Sequence, residues 1–294
     1  MGLLQWLQNV VTLNHTYNWA FVWKYVLSAA IIQGVILTII LAVISQLLGT
    51  LIGLLLFFMR RSRWRVLRVI ADGYIWFFRG TPLLVQVLFF YYLFPYLHLA
   101  NPLRAIDIFS QIGFTHGTGP IFLDSFIAAI LAFSLNEGAY MSEIVRAGID
   151  AIDAGQLEAA KSLGMTYSVA MRRIILPQAF RVIIPPLGNE FNNMLKNTSL
   201  AAFISLDELL GTARTISDPI FGQLELLVTA SLWYLLLTTI WGFIQGYIER
   251  RLNASNLDPG ATQAQWWQRA FGIGQRNVGQ LPVVPEHRES GGRL

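Results

Sequence analysis

Glu137, Glu143, Arg146, Glu190 and Lys196 stand inside stretches of sequence that are otherwise largely apolar. A charged side chain at the centre of a bilayer costs roughly 2.5–3.5 kcal/mol on insertion scales, so each needs a reason to be there. Around Glu190 and Lys196 lies a dense polar run of Asn189, Asn192, Asn193, Asn197, Thr198 and Ser199. On a helix, positions 189, 192, 193, 196 and 197 fall close to one face. Such a face cannot point at lipid, so it lines either a cavity or a seam between helices. Arg79, Thr81 and Gln86 form a second set beside Gly80 and Pro82, where a broken helix would expose backbone carbonyls as further acceptors. Arg79 serves equally well as an anchor at the membrane surface. The chemistry offered is recognition: carboxylates for an ammonium or a cationic side chain, amides and hydroxyls for polar groups.

Bond-making chemistry finds little support. The chain has no Cys, which excludes disulfides, thiol catalysis and thiolate metal sites. Its four His, at 15, 98, 116 and 287, lack ligand spacing, and no Ser/His/Asp set or acid–base pair of carboxylates is evident. No G-x-x-x-x-G-K-[ST] phosphate loop occurs, so nucleotide hydrolysis is not expected of this chain. Catalytic residues, metal ligands and a bound cofactor are all expected to be absent.

The elements that would hold these groups are spanning helices. Of 294 residues, 54% are hydrophobic and 13% charged, and the mean hydropathy is +0.51. Soluble domains carry about 25% charged residues. A net charge of +4 needs no nucleic acid to explain it. With roughly 20 apolar residues per crossing, the chain reads as five spans at 29–58, 70–97, 122–149, 182–208 and 226–248. The second is interrupted at Gly80 and Pro82, which predicts a kink or a break. "RRSRWRVLR" follows the first span, the stretch from Arg146 to Arg181 inclusive has five basic residues, and Arg250 and Arg251 follow the last. Only Lys24, Arg104 and Arg214 fall on the other side, so the positive-inside rule puts the N-terminus outside and the C-terminus inside. This gives an all-α integral membrane fold: an extracytoplasmic or interfacial 1–28, a spanning domain 29–250 with an external loop at 98–121, and a cytoplasmic tail 251–294.

Glu137 lies 13 residues beyond Asp124, about 20 Å along a helix and well inside the membrane. Its carboxylate either faces a cavity and meets the ammonium or cationic group of a ligand, or pairs internally with Arg146 or Lys196. Glu143 and Arg146, three apart near the cytoplasmic end, read as a structural ion pair.

"GQLEAAKSLGMTYSVAMRRIILPQA", residues 155–179, interrupts the apolar chain on its cytoplasmic side. Asp153 and Gln156 have capping-box spacing, and Gly164 suits a left-handed stop. Thr166 is placed to cap a second helix, in which Tyr167, Ala170, Met171, Ile174 and Ile175 make an apolar stripe. Arg172 and Arg173 fall away from it, and Pro177 is expected to close the unit. This predicts two short helices, the second docked on the bundle and the first, about 12 Å long, facing the cytosol. Ala159, Ala160 and Gly164 leave that first helix little side-chain bulk.

Glu158-Ala159-Ala160, then Gly164, then Ile174-x-Leu176-Pro177 resembles the EAA loop of ABC-importer permease subunits in every fixed position and both spacings. "RGTPLLVQ" (79–86), "GAYMSEIVRAGI" (138–149) and "IIPPLGNEFNNMLKNTSL" (183–200) are similar to the polar amino acid permeases of the histidine/glutamine type, over about residues 29–250. The resemblance implies that the loop 153–180 is a coupling helix, with Gln156, Glu158, Ala159, Ala160, Leu163, Gly164 and Met165 meeting an ATP-binding subunit. It further implies dimerisation with an identical or related permease chain, two ATP-binding partners that carry the ATP and Mg, an extracytoplasmic amino-acid-binding protein, and a bacterial cytoplasmic (inner) membrane location. The substrate path would run past Thr81, Gln86, Glu137, Asn189, Glu190, Asn192, Lys196, Asn197, Thr198 and Ser199. An ion-gradient-driven secondary transporter also suits intramembrane Glu and Lys, but five spans without an internal repeat fit it poorly.

Overall fold

The structure is a computed structural model that describes residues 19–96, 120–220 and 222–253. Most of the expected N-terminal segment, nearly all of the 98–121 loop and almost all of the tail lie outside the described residues. The chain divides into two units, Met1–Glu249 and Arg250–Leu294, and the helical bundle belongs to the first. Its helices are α1 (Trp19–Val26), α2 (Ala29–Arg60), α3 (Arg65–Gly80), α4 (Leu83–Tyr96), α5 (Pro120–Asp150), α6 (Ala154–Ser162), α7 (Tyr167–Ala170), α8 (Leu176–Asn197), α9 (Leu209–Ser217) and α10 (Gln223–Asn253). No strand occurs among the described residues. By length and composition alone, Ala29–Arg60 and Gln223–Leu252 can each cross a membrane. A third crossing exists if the bent pair Arg65–Gly80 and Leu83–Leu93 counts as one.

The centre of the bundle is the pairing of α2 with α5, and small residues make it possible. A side chain added at Gly49 would place its Cβ 2.6 Å from the Cβ and Cγ of Glu137, and one at Gly53 would collide with Met141. On the other side, a Cβ at Gly138 would lie 2.5 Å from Ile52. Gly49 and Gly53 form a G-x-x-x-G pair, the spacing that lets two membrane helices approach backbone to backbone. Around this seam, Leu37 and Leu41 of α2, Val87 of α4, Phe133 of α5 and Leu195 of α8 form the main apolar cluster.

Helix α10 is attached differently. Only 11% of its most apolar window is buried, against 44% for α2. Lipid is as apolar as a leucine side chain, so helix association in a bilayer leans on packing and hydrogen bonds. Accordingly α10 hooks onto carbonyls: Trp233 donates to Val26 at 2.8 Å, Trp241 to Gly188 at 2.8 Å, and Gln245 to Pro185 at 3.2 Å.

The interruption expected at Gly80 and Pro82 is a break, with α3 and α4 meeting at 106°, and two further expectations need correction. Thr81 is held extended (φ −113°, ψ 145°), as the ring of a following proline demands. The fourth span does not run as an α-helix to 208: α8 ends at Asn197, Thr198–Ile204 tightens to 3-10, and Ser205 stops it with φ 57°. Nor does Pro177 close the hairpin. A π-turn at Met171–Ile175 lets the Leu176 N–H reach the Met171 carbonyl, so Pro177 enters the first turn of α8, where no N–H is required of it. The short helices α1 and α9 were not expected at all.

Candidate functional site: a polar bundle interior and an exposed helical hairpin

The interior polar groups come from four helices. Glu137 on α5 is 4% exposed and accepts a hydrogen bond from Gln46 Nε2 of α2 at 3.0 Å. Gln46, rather than Arg146 or Lys196, is therefore its internal partner. Arg146 is engaged elsewhere, with Glu143 at 2.8 Å and Asp150 at 3.1 Å. The amide oxygens of Gln46 and Asn192 are buried without a partner among the described residues. Buried acceptors of this kind are rare enough to need explaining.

Thr81 and Gln86 act on the chain break. Gln86 is buried, and its amide nitrogen donates to the Phe78 carbonyl at 3.0 Å, the Thr81 carbonyl at 3.1 Å and the Thr81 hydroxyl at 2.7 Å. Asn136 of α5 adds bonds to the Phe78 carbonyl at 2.9 Å and to Gln86 Oε1 at 3.1 Å. The carbonyls that the break frees at Phe78 and Thr81 are thus taken by side chains, contrary to the expectation that they stay open for a ligand. Unpaired carbonyls in an apolar bundle cost about 1–3 kcal/mol each, and that penalty selects the clamp. Arg79 is exposed and lies over the Tyr140 ring, 5.3 Å from its centroid.

On α8 the expected polar face is real. Asn189, Asn193 and Lys196 are exposed, with Glu190, Asn192 and Asn197 half-buried at its edges. Asn189 accepts from Gln245 of α10 at 3.2 Å. Thr198 does not join the face: it is buried, and its hydroxyl donates to the Leu195 carbonyl at 2.8 Å. Ser199 is half-buried in the 3-10 segment.

The anticipated Glu143–Arg146 pair is one link of a longer chain. Arg60 bonds Asp72 at 2.7 Å and Glu143 at 2.6 Å, so the run Asp72–Arg60–Glu143–Arg146–Asp150 ties α3, α2 and α5 together.

Sequence reasoning missed a second interior node. Glu208 is fully buried and N-caps α9, accepting the Gly211 N–H at 2.9 Å. Its other oxygen accepts from the hydroxyls of Thr38 at 3.1 Å and Tyr234 at 2.7 Å. Reading the fourth span through to 208 concealed this cap. The missed Asn136 stands beside Glu137 in sequence, and the missed G-x-x-x-G of 49–53 is legible as a packing motif.

The hairpin is built largely as its caps imply. Asp153 Oδ1 accepts the Gly155 N–H at 2.6 Å. The reciprocal half of the capping box is replaced, since the Gln156 amide oxygen takes a bond from Gln178 at 3.5 Å. At the other end Gly164 has φ +76° and donates to Lys161 at 2.9 Å, while the Met165 N–H reaches Ala160 at 3.1 Å. Those two bonds make a complete Schellman stop. Gln156, Glu158, Ala159 and Gly164 are exposed and Met165 half-buried, whereas Leu163 is 82% exposed. Ala160 departs from expectation: it is buried, turned back onto the hairpin, and leaves Ala159 and Gly164 as the small outward residues. Ala170 and Ile175 of the stripe are buried, while Tyr167 stands half out.

A compact membrane bundle with a polar interior and one exposed, capped helix describes a transport component. Residues 47–254 match the family of binding-protein-dependent transport system inner membrane components, and the chain belongs to that family. It is 38% identical over 237 residues to an arginine transport system permease protein of Corynebacterium glutamicum, covering 79% of this chain and 70% of that one. It is 40% identical over 195 residues to an L-cystine transport system permease protein of Bacillus subtilis, covering 66% and 74%. Among solved structures, an amino acid ABC transporter crystallised with histidines superposes with a TM-score of 0.65 at 34% identity, over 76% of this chain and 94% of that one. The MetNI methionine ABC transporter shares the fold, with a TM-score of 0.55 at 16% identity, over 78% and 97%.

Proposed function

We propose that this chain is the membrane-spanning subunit of an ATP-driven importer that moves a polar amino acid across the bacterial cytoplasmic membrane. The observation that carries the reading is the exposed α6 hairpin, with Leu163 presented to solvent beside Ala159 and Gly164, on a chain whose family is binding-protein-dependent transport. In this reading α6 docks into an ATP-binding subunit, two of which bind the ATP and Mg, while this chain catalyses nothing and binds no cofactor. A second permease chain completes the path, and an extracytoplasmic binding protein delivers the amino acid. The spanning domain 29–250 crosses five times, with residues 1–28 outside and 251–294 inside. Substrate passes the α8 face of Asn189, Glu190, Asn192, Lys196 and Asn197 and the Glu137–Gln46 pair. Thr81 and Gln86 hold the bend that shapes the path rather than touching substrate.

Uptake of labelled amino acids into proteoliposomes holding this chain, its ATP-binding partner and its binding protein tests the proposal. Uptake should require internal ATP and fall to background when Ala159 is replaced by Trp, with the helical content of the chain unchanged. Uptake that persisted without the ATP-binding partner, driven by an ion gradient, would sink it.

A further inference from the structure

Five arginines, Arg60, Arg61, Arg63, Arg65 and Arg68, surround the elbow between α2 and α3. The bundle uses Arg60, through Asp72 and Glu143. The other four are exposed and make no ion pair among the described residues; Arg61 only lies over the Phe57 ring, 5.6 Å from its centroid. No acidic residue stands in the first turn of α3 to offset them. Interleaved with these cations are large apolar side chains left exposed by the described residues: Trp64 is 61% exposed, Val66 68%, Val69 62% and Ile70 53%. The Arg60 pairs hold the end of α2 against α3 and α5, so the elbow is presented as a fixed surface.

We propose that this elbow binds the headgroups of anionic phospholipids. Guanidinium groups take phosphate oxygens through paired N–H donors. Trp64, Val66, Val69 and Ile70 then enter the headgroup and acyl boundary beside them, as amphipathic interfacial segments do. A lipid fits where a soluble anion does not, because the apolar residues alternate with the arginines at the end of a 32-residue apolar helix. The negative cytoplasmic leaflet supplies the complementary charge. The inference rests on the inward placement of this elbow given above.

Quenching of Trp64 by brominated lipids tests it, with the full-length chain in nanodiscs and the signal taken as the difference between the native chain and Trp64→Phe. Brominated phosphatidylglycerol should quench at a lower mole fraction than brominated phosphatidylcholine. Each of Arg63→Gln and Arg68→Gln should lower that preference roughly fivefold. Equal quenching by the two lipids overturns the proposal, as does a preference that both substitutions leave intact. A preference abolished by millimolar inorganic phosphate also overturns it, by making the elbow a soluble-anion site. The chain has no native Cys, so Arg63→Cys reports orientation separately: labelling from outside intact cells would refute the topology while leaving the nanodisc preference in place.

Discussion

Glu208 and Glu137 are both carboxyl groups enclosed in an apolar bundle, and their surroundings differ in completeness. Both oxygens of Glu208 are used, one by the Gly211 N–H and the other by the hydroxyls of Thr38 and Tyr234. The network closes on itself, because Thr38 in turn accepts the Leu209 N–H at 3.2 Å. It joins α2, α9 and α10 at one point. Glu137 has Gln46 on one oxygen, and the other accepts nothing among the described residues. Close by, the amide oxygen of Gln46 has no partner either. A closed buried network fixes a wall, whereas an open one keeps unspent hydrogen-bonding capacity for something that arrives. On the function proposed above, the same residue type serves the frame at one site and lines the path at the other.

The largest effect should come from breaking the closed node. Glu208→Ala strands two hydroxyls and a backbone N–H, at about 1–3 kcal/mol each. The purified chain should unfold in detergent with at least about 3 kcal/mol lost, read from thermal or denaturant transitions. A variant with an unchanged midpoint would remove the distinction between the two carboxyl sites. Next in size is the seam beside the open node. In Gly49→Ala the new methyl would sit 2.6 Å from Glu137 and 3.2 Å from the Ser134 carbonyl, and such overpacking costs about 1–3 kcal/mol. Gly73→Ala is the control: nothing lies within 4 Å of the added carbon, so the midpoint should hold or rise. A midpoint that held or rose at both positions would mean that helix propensity, not close approach, governs these glycines.

How much of this was legible beforehand depended on whether a signal was local. The ends of α2 and α5, the caps of α6 and the polar face of α8 follow from runs, periods and cap residues, which are properties of adjacent positions. The Glu143–Arg146 pair was legible at i,i+3, but its extension to Arg60 and Asp72 was not, because those residues reach it from other helices. Gln46 as the partner of Glu137 stands 91 positions away and Thr38 stands 170 from Glu208, and nothing local announces either. The sharp angle between α3 and α4 was half readable: Thr81-Pro82 foretold a break, while the side chains that would claim its carbonyls depended on where Asn136 packs. Ala160 shows the limit at finer scale, since membership of a recognised motif did not say which side of a nine-residue helix it would occupy.

A smaller effect is expected at the hairpin, which has no interior to disrupt. Gly164 is in the left-handed region with open space around it, so Gly164→Ala carries only the backbone penalty, roughly 1 kcal/mol. Global unfolding should hardly move. Amide exchange over 153–166 should quicken, and stimulation of the partner's ATPase should weaken. A fall in global stability with unchanged exchange would show that the hairpin belongs to the bundle's cooperative core rather than standing apart from it.

The smallest effect on stability, and the most discriminating one, belongs to Glu137→Gln. Two amides facing each other can still share a hydrogen bond, so the contact with Gln46 survives and the seam at Gly49 keeps its shape. The unfolding midpoint should shift by no more than about 0.5 kcal/mol, the range of substitutions that disturb no packing. Uptake should nonetheless fall, because the amide offers an incoming ammonium no charge. If uptake and substrate affinity both stay at the native level, Glu137 is a second frame residue like Glu208, and the path must be sought along Asn189, Asn193 and Lys196, the groups that α8 leaves exposed. If stability falls as steeply as in Glu208→Ala, Glu137 is a closed frame node in its own right, and the distinction between the two carboxyl sites is lost.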